Sequence, residues 1–322
     1  MKRRAFCSAA ALSVAIMLGS VQAHAQSSVN TIIVGLSPGG SMDGSARLMA
    51  DRLQKMTGET FVVENRTGAG GRVAAGYTHR AKPDGRTIMI APHGPMTLSQ
   101  HLYRNLGFDP INDFDPVAKV AAFEYVLVAS PDVPVTNRQE LAAWVKENPG
   151  LASYGSPGTG STPHFIGEII AKRLGVEMTN VPYKGSALTV NDVVSGILSF
   201  GIMPTADALP MAEAGRLKIV GTSGAERSRL APEYPTLREI GIDFALSGWY
   251  AMFAPKGTSP ERVAQLSQAF GTILEDEDVV ERLSLIGLDA QYASAEELAA
   301  VQRQESKMWA KVVKEMEFPP LD

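Results

Sequence analysis

TIIVGLSPGGSMDGSARLMADRL (Thr31–Leu53) leads from a strand-like run into a helix through a glycine-containing turn. Ile32–Leu36 is rich in β-branched residues, and Asp43–Met56 repeats its apolar side chains at helical spacing. The same order of strand, glycine-rich joint and helix returns several times along the chain. This alternation predicts α/β architecture, with a mostly parallel sheet and flanking helices.

The periodicity predicts two βα series separated by long β-rich joins. The predicted strands are Ile32–Leu36, Thr60–Val63, Thr87–Ala91, Val117–Ala129, Ser153–Ser156, Asn180–Tyr183, Lys218–Thr222 and Gly248–Ala254. The predicted helices are Asp43–Met56, Arg72–Arg80, Met96–Tyr103, Pro163–Leu174, Leu188–Ser195, one that opens at a Thr136/Gln139 capping box, and two that close the chain behind Ser259 and Ser294. We therefore expect two lobes joined by two crossings, the first built from 26–126 and 245–322 and the second from 127–244. A cleft between such lobes is a common ligand site.

The N-terminus has the pattern of a secretory signal peptide over residues 1–25. A basic start (Lys2, Arg3, Arg4) precedes an apolar stretch and the cleavage motif Ala23-His24-Ala25. Cleavage would place the mature protein in the periplasm. It would also remove Cys7, the single cysteine of the chain, so no disulfide or thiol chemistry is expected.

Charge and motif spacing exclude several functions. Without the leader, the chain has 27 Lys and Arg and 34 Asp and Glu, which gives a net charge of −7. No cluster of basic residues predicts a nucleic-acid partner. The glycines of 155–162 are spaced as in a phosphate-binding loop, but Ser161 stands where that loop needs lysine. No His, Cys, Asp and Glu cluster has metal-ligand spacing. We expect no cofactor and no metal.

The opening stretch also contains the G-x-S-x-G pattern of a hydrolase nucleophile, centred on Ser37. In such an enzyme the residue after the serine supplies a backbone N–H to the oxyanion hole. Here that residue is Pro38, which has no N–H, and no histidine stands in a distinctive setting to act as base. A secreted serine hydrolase is therefore kept only as an alternative.

Four glycine-rich joints point to anion binding instead. They lie at 37–41, 68–71, 158–161 and 184–187, and each is followed by a predicted helix. Backbone N–H groups at a helix start lack partners within the helix and carry its positive dipole end. Ligands of open α/β sheets bind at the carboxyl ends of the strands, where these joints lie. Two joints in each lobe would face one cleft.

In order and spacing these segments resemble the substrate-binding receptors of tripartite tricarboxylate transporters, the Bug family. The matching pieces are Ser37-Pro38-Gly39-Gly40 with Asp43, VVENRTGAGG, KPDGRTIMIA, DFDPVAKV, YGSPGTGSTPH, VPYKGSA and Trp249. The resemblance implies a two-lobed Venus-flytrap periplasmic binding protein. It further implies a small carboxylate ligand (a di- or tricarboxylate, or an aromatic carboxylate), integral membrane permease subunits as partners, and a monomer.

The resemblance and the positions of the joints together predict the binding residues. Expected ligand contacts are Leu36, Ser37, Pro38, Gly39, Gly40, Asp43, Ala69, His93, Gly158, Thr159, Gly160, Ser161, His164, Lys184, Gly185, Ser186, Ala187 and Asp207. Leu36 stands where the family often has an aromatic residue. Asp43 either orients a water or only stabilises its helix start, Lys184 either lines the wall or is a solvated lysine, and Asp207 is included on position alone. Beside the transport receptor and the hydrolase, a sensing receptor for a membrane kinase would share the same pocket.

Overall fold

A computed structural model describes residues 29–322. The predicted signal peptide lies outside the described residues. The strands are β1 Asn30–Val34, β2 Phe61–Asn65, β3 Thr87–Pro92, β4 Phe114–Ala129, β5 Ser153–Ser156, β6 Thr179–Pro182, β7 Phe200–Pro204, β8 Lys218–Thr222, β9 Ser247–Pro255 and β10 Asp289–Ala293.

The helices alternate with these strands in both halves of the chain. They are α1 Ser41–Thr57, α2 Arg72–His79, α3 Ser99–Leu102, α4 Arg138–Glu147, α5 Thr162–Leu174, α6 Ser186–Val194, α7 Thr205–Glu213, α8 Pro260–Glu275, α9 Glu277–Leu285 and α10 Ala295–Met316. A 3₁₀ turn, Ala69–Gly71, leads into α2, and a π-helical turn, Gly94–Leu98, leads into α3.

One long strand, β4, joins two half-sheets. Its first part pairs with β9 and β10, and β9 continues into the order β3-β1-β2, which completes the first half-sheet. Its last part, Tyr125–Ala129, pairs with β7 and β8, and β7 continues to β5 and β6 in the second half-sheet. We call each half-sheet with its covering helices a lobe.

Within each lobe, the βα series form parallel strands as the alternation predicts. β1 is parallel to β2 and β3, and β5 is parallel to β6 and β7. The crossing strands differ, because β9 runs antiparallel to β3 and β4, and β4 runs antiparallel to β7. The sheet is therefore mixed, and the two antiparallel crossings lie side by side between the lobes.

Several details differ from the predicted elements. β7, α7 and β10 were not predicted, and three helices rather than two close the chain. The cap of α4 is Asn137, whose side chain accepts from the Glu140 amide, whereas Thr136 donates to the Glu140 carboxylate. The capping box at Ser294 and Glu297 is present as predicted. Within the described residues no helix is long and apolar enough to span a membrane.

The last helix connects the lobes on their outer side. Trp309 of α10 is buried against Phe165 of α5, and Phe318 beyond α10 packs on the same phenyl ring. Lys172 of α5 donates to the Glu315 and Met316 carbonyl oxygens. The first lobe therefore supports α5, the helix that directly follows the second lobe's glycine-rich joint at 158–161.

Candidate functional site

The glycine-rich joints of the two lobes meet face to face. The Ser37 amide and the Ser37 hydroxyl both donate to the Lys184 carbonyl oxygen, at 2.9 and 2.8 Å. Lys184 therefore acts here through its backbone, and its side chain is exposed. A Cβ on Gly185 would lie 2.4 Å from Ser37 Oγ, so the lobes approach closely because position 185 has no side chain.

A second pair of joints meets beside the first. A Cβ on Gly158 would lie 2.4 Å from the Gly70 amide nitrogen, and Gly158 has a φ of +151°, which side-chain-bearing residues rarely adopt. Ala69, the residue before Gly70, itself has a positive φ of 48°. Tyr103 spans the same gap, since its hydroxyl donates to the Thr159 carbonyl oxygen at 2.8 Å.

Beside these contacts lies a central cavity of about 20 Å³ between the lobes. That is room for about one water molecule. Most of its wall is apolar or aromatic: Leu36, Pro92, Pro95, Phe123, Tyr125, Pro157, Pro163, Pro204 and Tyr250. The remaining lining residues are small or carry hydroxyls: Gly70, Gly94, Ser161, Thr162 and Ser186.

Two hydroxyls of the cavity wall have no well-aligned hydrogen-bond partner within the described residues. They are Thr162 Oγ1 and Ser186 Oγ, and both residues are at least 97% buried. Thr162 begins α5 and Ser186 begins α6. A buried hydroxyl without a partner costs roughly 1–3 kcal/mol, so these groups are suited to a polar ligand.

The start of α5 is shaped from inside the second lobe. Ser161 caps the helix by accepting from the His164 amide, and His164 Nδ1 accepts from the Gly160 amide at 3.0 Å. Burial lowers the pKa of His164, with Glu168 acting in the opposite direction from 3.6 Å. His164 thus holds the 158–161 joint in position and is not among the residues that line the cavity.

Asp43 has a similar positioning role in the first lobe. Its carboxylate accepts from Arg47 Nε, Asn65 Nδ2 and the Gly39 amide, at 3.0, 2.9 and 3.2 Å. Burial alone would raise the pKa of Asp43, but these hydrogen bonds outweigh it and lower the pKa. Asp43 fixes the glycine turn and is fully engaged by protein donors.

Asp207 reaches across the gap from the second lobe. Its Oδ1 accepts from the Ser41 amide, the first of α1, at 2.7 Å. Burial raises the pKa of Asp207, while the Ser41 amide and the nearby Ser186 hydroxyl act in the opposite direction. Asp207 also borders an open groove of about 400 Å³ that includes Gly39, Gly40 and Ala187.

His93 lies behind the cavity wall. It is fully buried, and its Nε2 is 2.9 Å from the hydroxyl of Tyr125, which lines the cavity. On its other side, Nδ1 is 3.4 Å from Glu305, whose carboxylate accepts from Trp249 Nε1. His93 and Trp249 therefore form a buried layer that supports Tyr125.

The structure brings most of the predicted residues to one place but in different roles. Leu36, Ser161 and Ser186 line the cavity, and the other joint residues form the contacts between the lobes or the outer groove. Pro38 and Gly39 are exposed. Lining residues not predicted are Gly70, Pro92, Gly94, Pro95, Phe123, Tyr125, Pro157, Thr162, Pro163, Pro204 and Tyr250. The aromatic residues inside the two β-rich joins were the available signal for three of them.

Comparison with known proteins agrees with this arrangement. Residues 45–318 match the family described as tripartite tricarboxylate transporter family receptor. BugT of Bordetella pertussis is 31% identical over 88% of this chain and 88% of its own. A Cupriavidus necator protein is 31% identical over 93% of each chain.

Solved structures match over nearly the whole described chain. The periplasmic binding protein BugD has a TM-score of 0.87 at 30% identity, covering 91% of this chain and 99% of its own. A Rhodopseudomonas palustris protein with adipate has a TM-score of 0.86 at 32% identity, covering 91% and 98%. MatC of the same organism, with bound malate, has a TM-score of 0.84 at 30% identity, covering 88% and 98%. The predicted two-lobed periplasmic-binding fold is confirmed, and this chain belongs to the tripartite tricarboxylate transporter receptor family.

Proposed function

We propose that this protein captures a small carboxylate between its lobes in the periplasm and delivers it, as a monomer, to the integral membrane subunits of a tripartite transporter. The observation that carries the proposal is the pair of buried hydroxyls, Thr162 Oγ1 and Ser186 Oγ, in the central cavity. A carboxylate has acceptor positions for several donors at once. Thr162 and Ser186 are also the first residues of α5 and α6, and the dipole at the start of a helix favours an anion.

Capture requires the lobes to separate and close again. The cavity has room for about one water molecule, so a carboxylic acid can enter only when the joints move apart. A ligand that contacts both lobes stabilises the closed form by its difference in affinity for the two forms. Export through the N-terminal signal peptide would place this cycle in the periplasm.

The hydrolase alternative is weakened by the contacts of Ser37. A serine nucleophile donates its proton to a base, commonly histidine. Ser37 Oγ donates to the Lys184 carbonyl oxygen, and the next residue is proline. These contacts give Ser37 a role in lobe closure.

The sensing receptor would use the same cavity, and its partner would distinguish it from the transport receptor.

Thermal unfolding of Gln26–Asp322 with a carboxylate panel tests the proposal. A ligand at 100 times its Kd adds about 2.7 kcal/mol to the free energy of unfolding, which raises Tm by several degrees. We expect such a shift with at least one acid, and we expect Thr162→Ala and Ser186→Ala to reduce it.

The matched control is Ser195→Ala, which removes an exposed hydroxyl from the end of α6. It should leave the shift unchanged. Absence of a shift with every acid, together with ester hydrolysis that Ser37→Ala abolishes, would contradict the receptor and favour the hydrolase.

A further inference from the structure

Asp207 occupies an anion-binding position that belongs to the opposite lobe. It lies in the first turn of α7, and its carboxylate accepts from the Ser41 amide at 2.7 Å. The start of α1 has no side-chain cap of its own, because Gly40 is the N-cap residue. A carboxylate against the first amide of a helix takes the place that a bound anion would take.

Among residues 29–322, no second acid accepts from the Ser41 amide. Asp43, the acidic residue in the first turn of α1 itself, is engaged by Arg47, Asn65 and the Gly39 amide. The start of α1 is therefore neutralised across the gap by Asp207. A ligand carboxylate would have to displace Asp207 to reach the same amide.

Asp207 is linked to the central cavity through two neighbouring residues, Ser41 and Ser186. Ser41 Oγ is 3.1 Å from the Tyr250 hydroxyl, and Tyr250 lines the cavity. Ser186, the second contact, lines the cavity; its hydroxyl has no well-aligned partner but lies close enough to Asp207 to lower the pKa of that carboxyl. An anion at this end of the cavity would face a second negative charge at short range, which is unfavourable in a partly desolvated site.

The hydroxyl of Thr162, the second one without a well-aligned partner, has different surroundings. Thr162 Oγ1 lies close to Gly94, since a Cβ on Gly94 would be 2.7 Å from it. It stands at the start of α5, where Ser161 is the cap. Apart from the hydroxyl and glycine positions, the cavity wall is apolar or aromatic. A ligand carboxylate is thus favoured at the α5 end and an uncharged body elsewhere.

We infer that Asp207 determines specificity by filling one of two carboxylate positions, so that the receptor prefers monocarboxylates with an apolar body over dicarboxylates. This inference rests on the proposed function. Burial raises the pKa of Asp207, which agrees with a carboxylate in a partly desolvated wall. Removing its side chain would open the start of α1 to a second ligand carboxylate.

Calorimetric titration with hexanoate and adipate tests the inference, since the two acids share a chain length and differ in one terminal carboxylate. Wild-type Gln26–Asp322 should bind hexanoate at least tenfold more tightly than adipate. Asp207→Ala should tighten adipate binding at least tenfold. Asp207→Asn, which removes the charge but keeps an acceptor oxygen for the Ser41 amide, should tighten adipate binding less than Asp207→Ala does.

The control is Glu213→Ala, which removes an exposed carboxylate from the last residue of the same helix. It should leave both affinities unchanged. Adipate binding to the wild type as tight as hexanoate binding, or an unchanged ratio in Asp207→Ala, would overturn the inference but leave a carboxylate receptor. Tighter binding of 6-aminohexanoate than of hexanoate would also overturn it, by making Asp207 an ammonium acceptor. No binding of any acid by any variant would overturn both the inference and the proposed function.

Discussion

Gly94 shows how one missing methyl group permits closure. A Cβ at this position would lie 2.7 Å from Thr162 Oγ1 of the opposite lobe and would project into the cavity wall. Gly94→Ala should therefore weaken binding of the acid found in the thermal screen by at least tenfold, about 1.4 kcal/mol. Calorimetry gives the Kd, and urea unfolding tests whether the variant still folds.

The free energy of unfolding should not fall in parallel, because alanine in place of a helical glycine commonly stabilises by about 0.4–1 kcal/mol. Gly150→Ala is the matched control, since a Cβ there meets no atom within 4 Å. An unchanged Kd in Gly94→Ala would show that binding does not depend on the close approach of Gly94 to Thr162.

The start of α5 is the element whose geometry depends on pH. His164 Nδ1 accepts from the Gly160 amide, so the imidazole must be unprotonated at that nitrogen. Burial lowers the pKa of His164, with Glu168 acting in the opposite direction. Stability from this group is complete above the unfolded-state pKa near 6.5. It is lost as the pH falls towards the lower folded-state pKa.

Urea unfolding between pH 7.5 and 5.0 measures this effect. The wild type should lose stability with a slope of up to about 1.4 kcal/mol per pH unit from His164. His164→Gln should lack that contribution. Identical pH profiles for the two proteins would show that His164 does not couple protonation to the fold.

For the helices and strands, the sequence correctly predicted features that depend mainly on residues close together in the chain. The strands Ser153–Ser156 and Lys218–Thr222 have the predicted bounds, and the caps at Ser259 and Ser294 are present. The α4 cap was assigned one residue too early, because Asn137 competes with Thr136 as an acceptor. β10 was missed since its pairing with β4 is set by tertiary contact and its own sequence, DAQYA, is weakly apolar.

For the whole molecule, the positions of the joints could be predicted but their partners could not. Glycine-rich turns before helices indicate anion sites by local geometry, and this brought Ser161 and Ser186 into the predicted set. The contacts of Ser37 with Lys184 and of Ser41 with Asp207 join residues 147 and 166 positions apart. Such pairings depend on how β4 and β9 place the lobes, which no local pattern encodes.

Tyr103 should bias the whole molecule towards the closed form. Its hydroxyl donates to the Thr159 carbonyl oxygen of the other lobe, and Arg72 lies over its ring at 3.5 Å. Tyr103→Phe keeps the ring and removes one hydrogen bond worth about 1 kcal/mol. The ratio of closed to open molecules should therefore fall about fivefold.

Spin labels at Val73 and Leu188, exposed positions in different lobes, can measure this change. Residues 26–322 contain no cysteine, so Val73→Cys and Leu188→Cys would be labelled selectively in Gln26–Asp322. The distance distribution of Tyr103→Phe should gain a longer component that the ligand identified by thermal shift removes. Tyr292→Phe is the control, because that hydroxyl is 3.1 Å from Ser267 within the first lobe. If both variants give the wild-type distribution, the Tyr103–Thr159 contact does not contribute to closure.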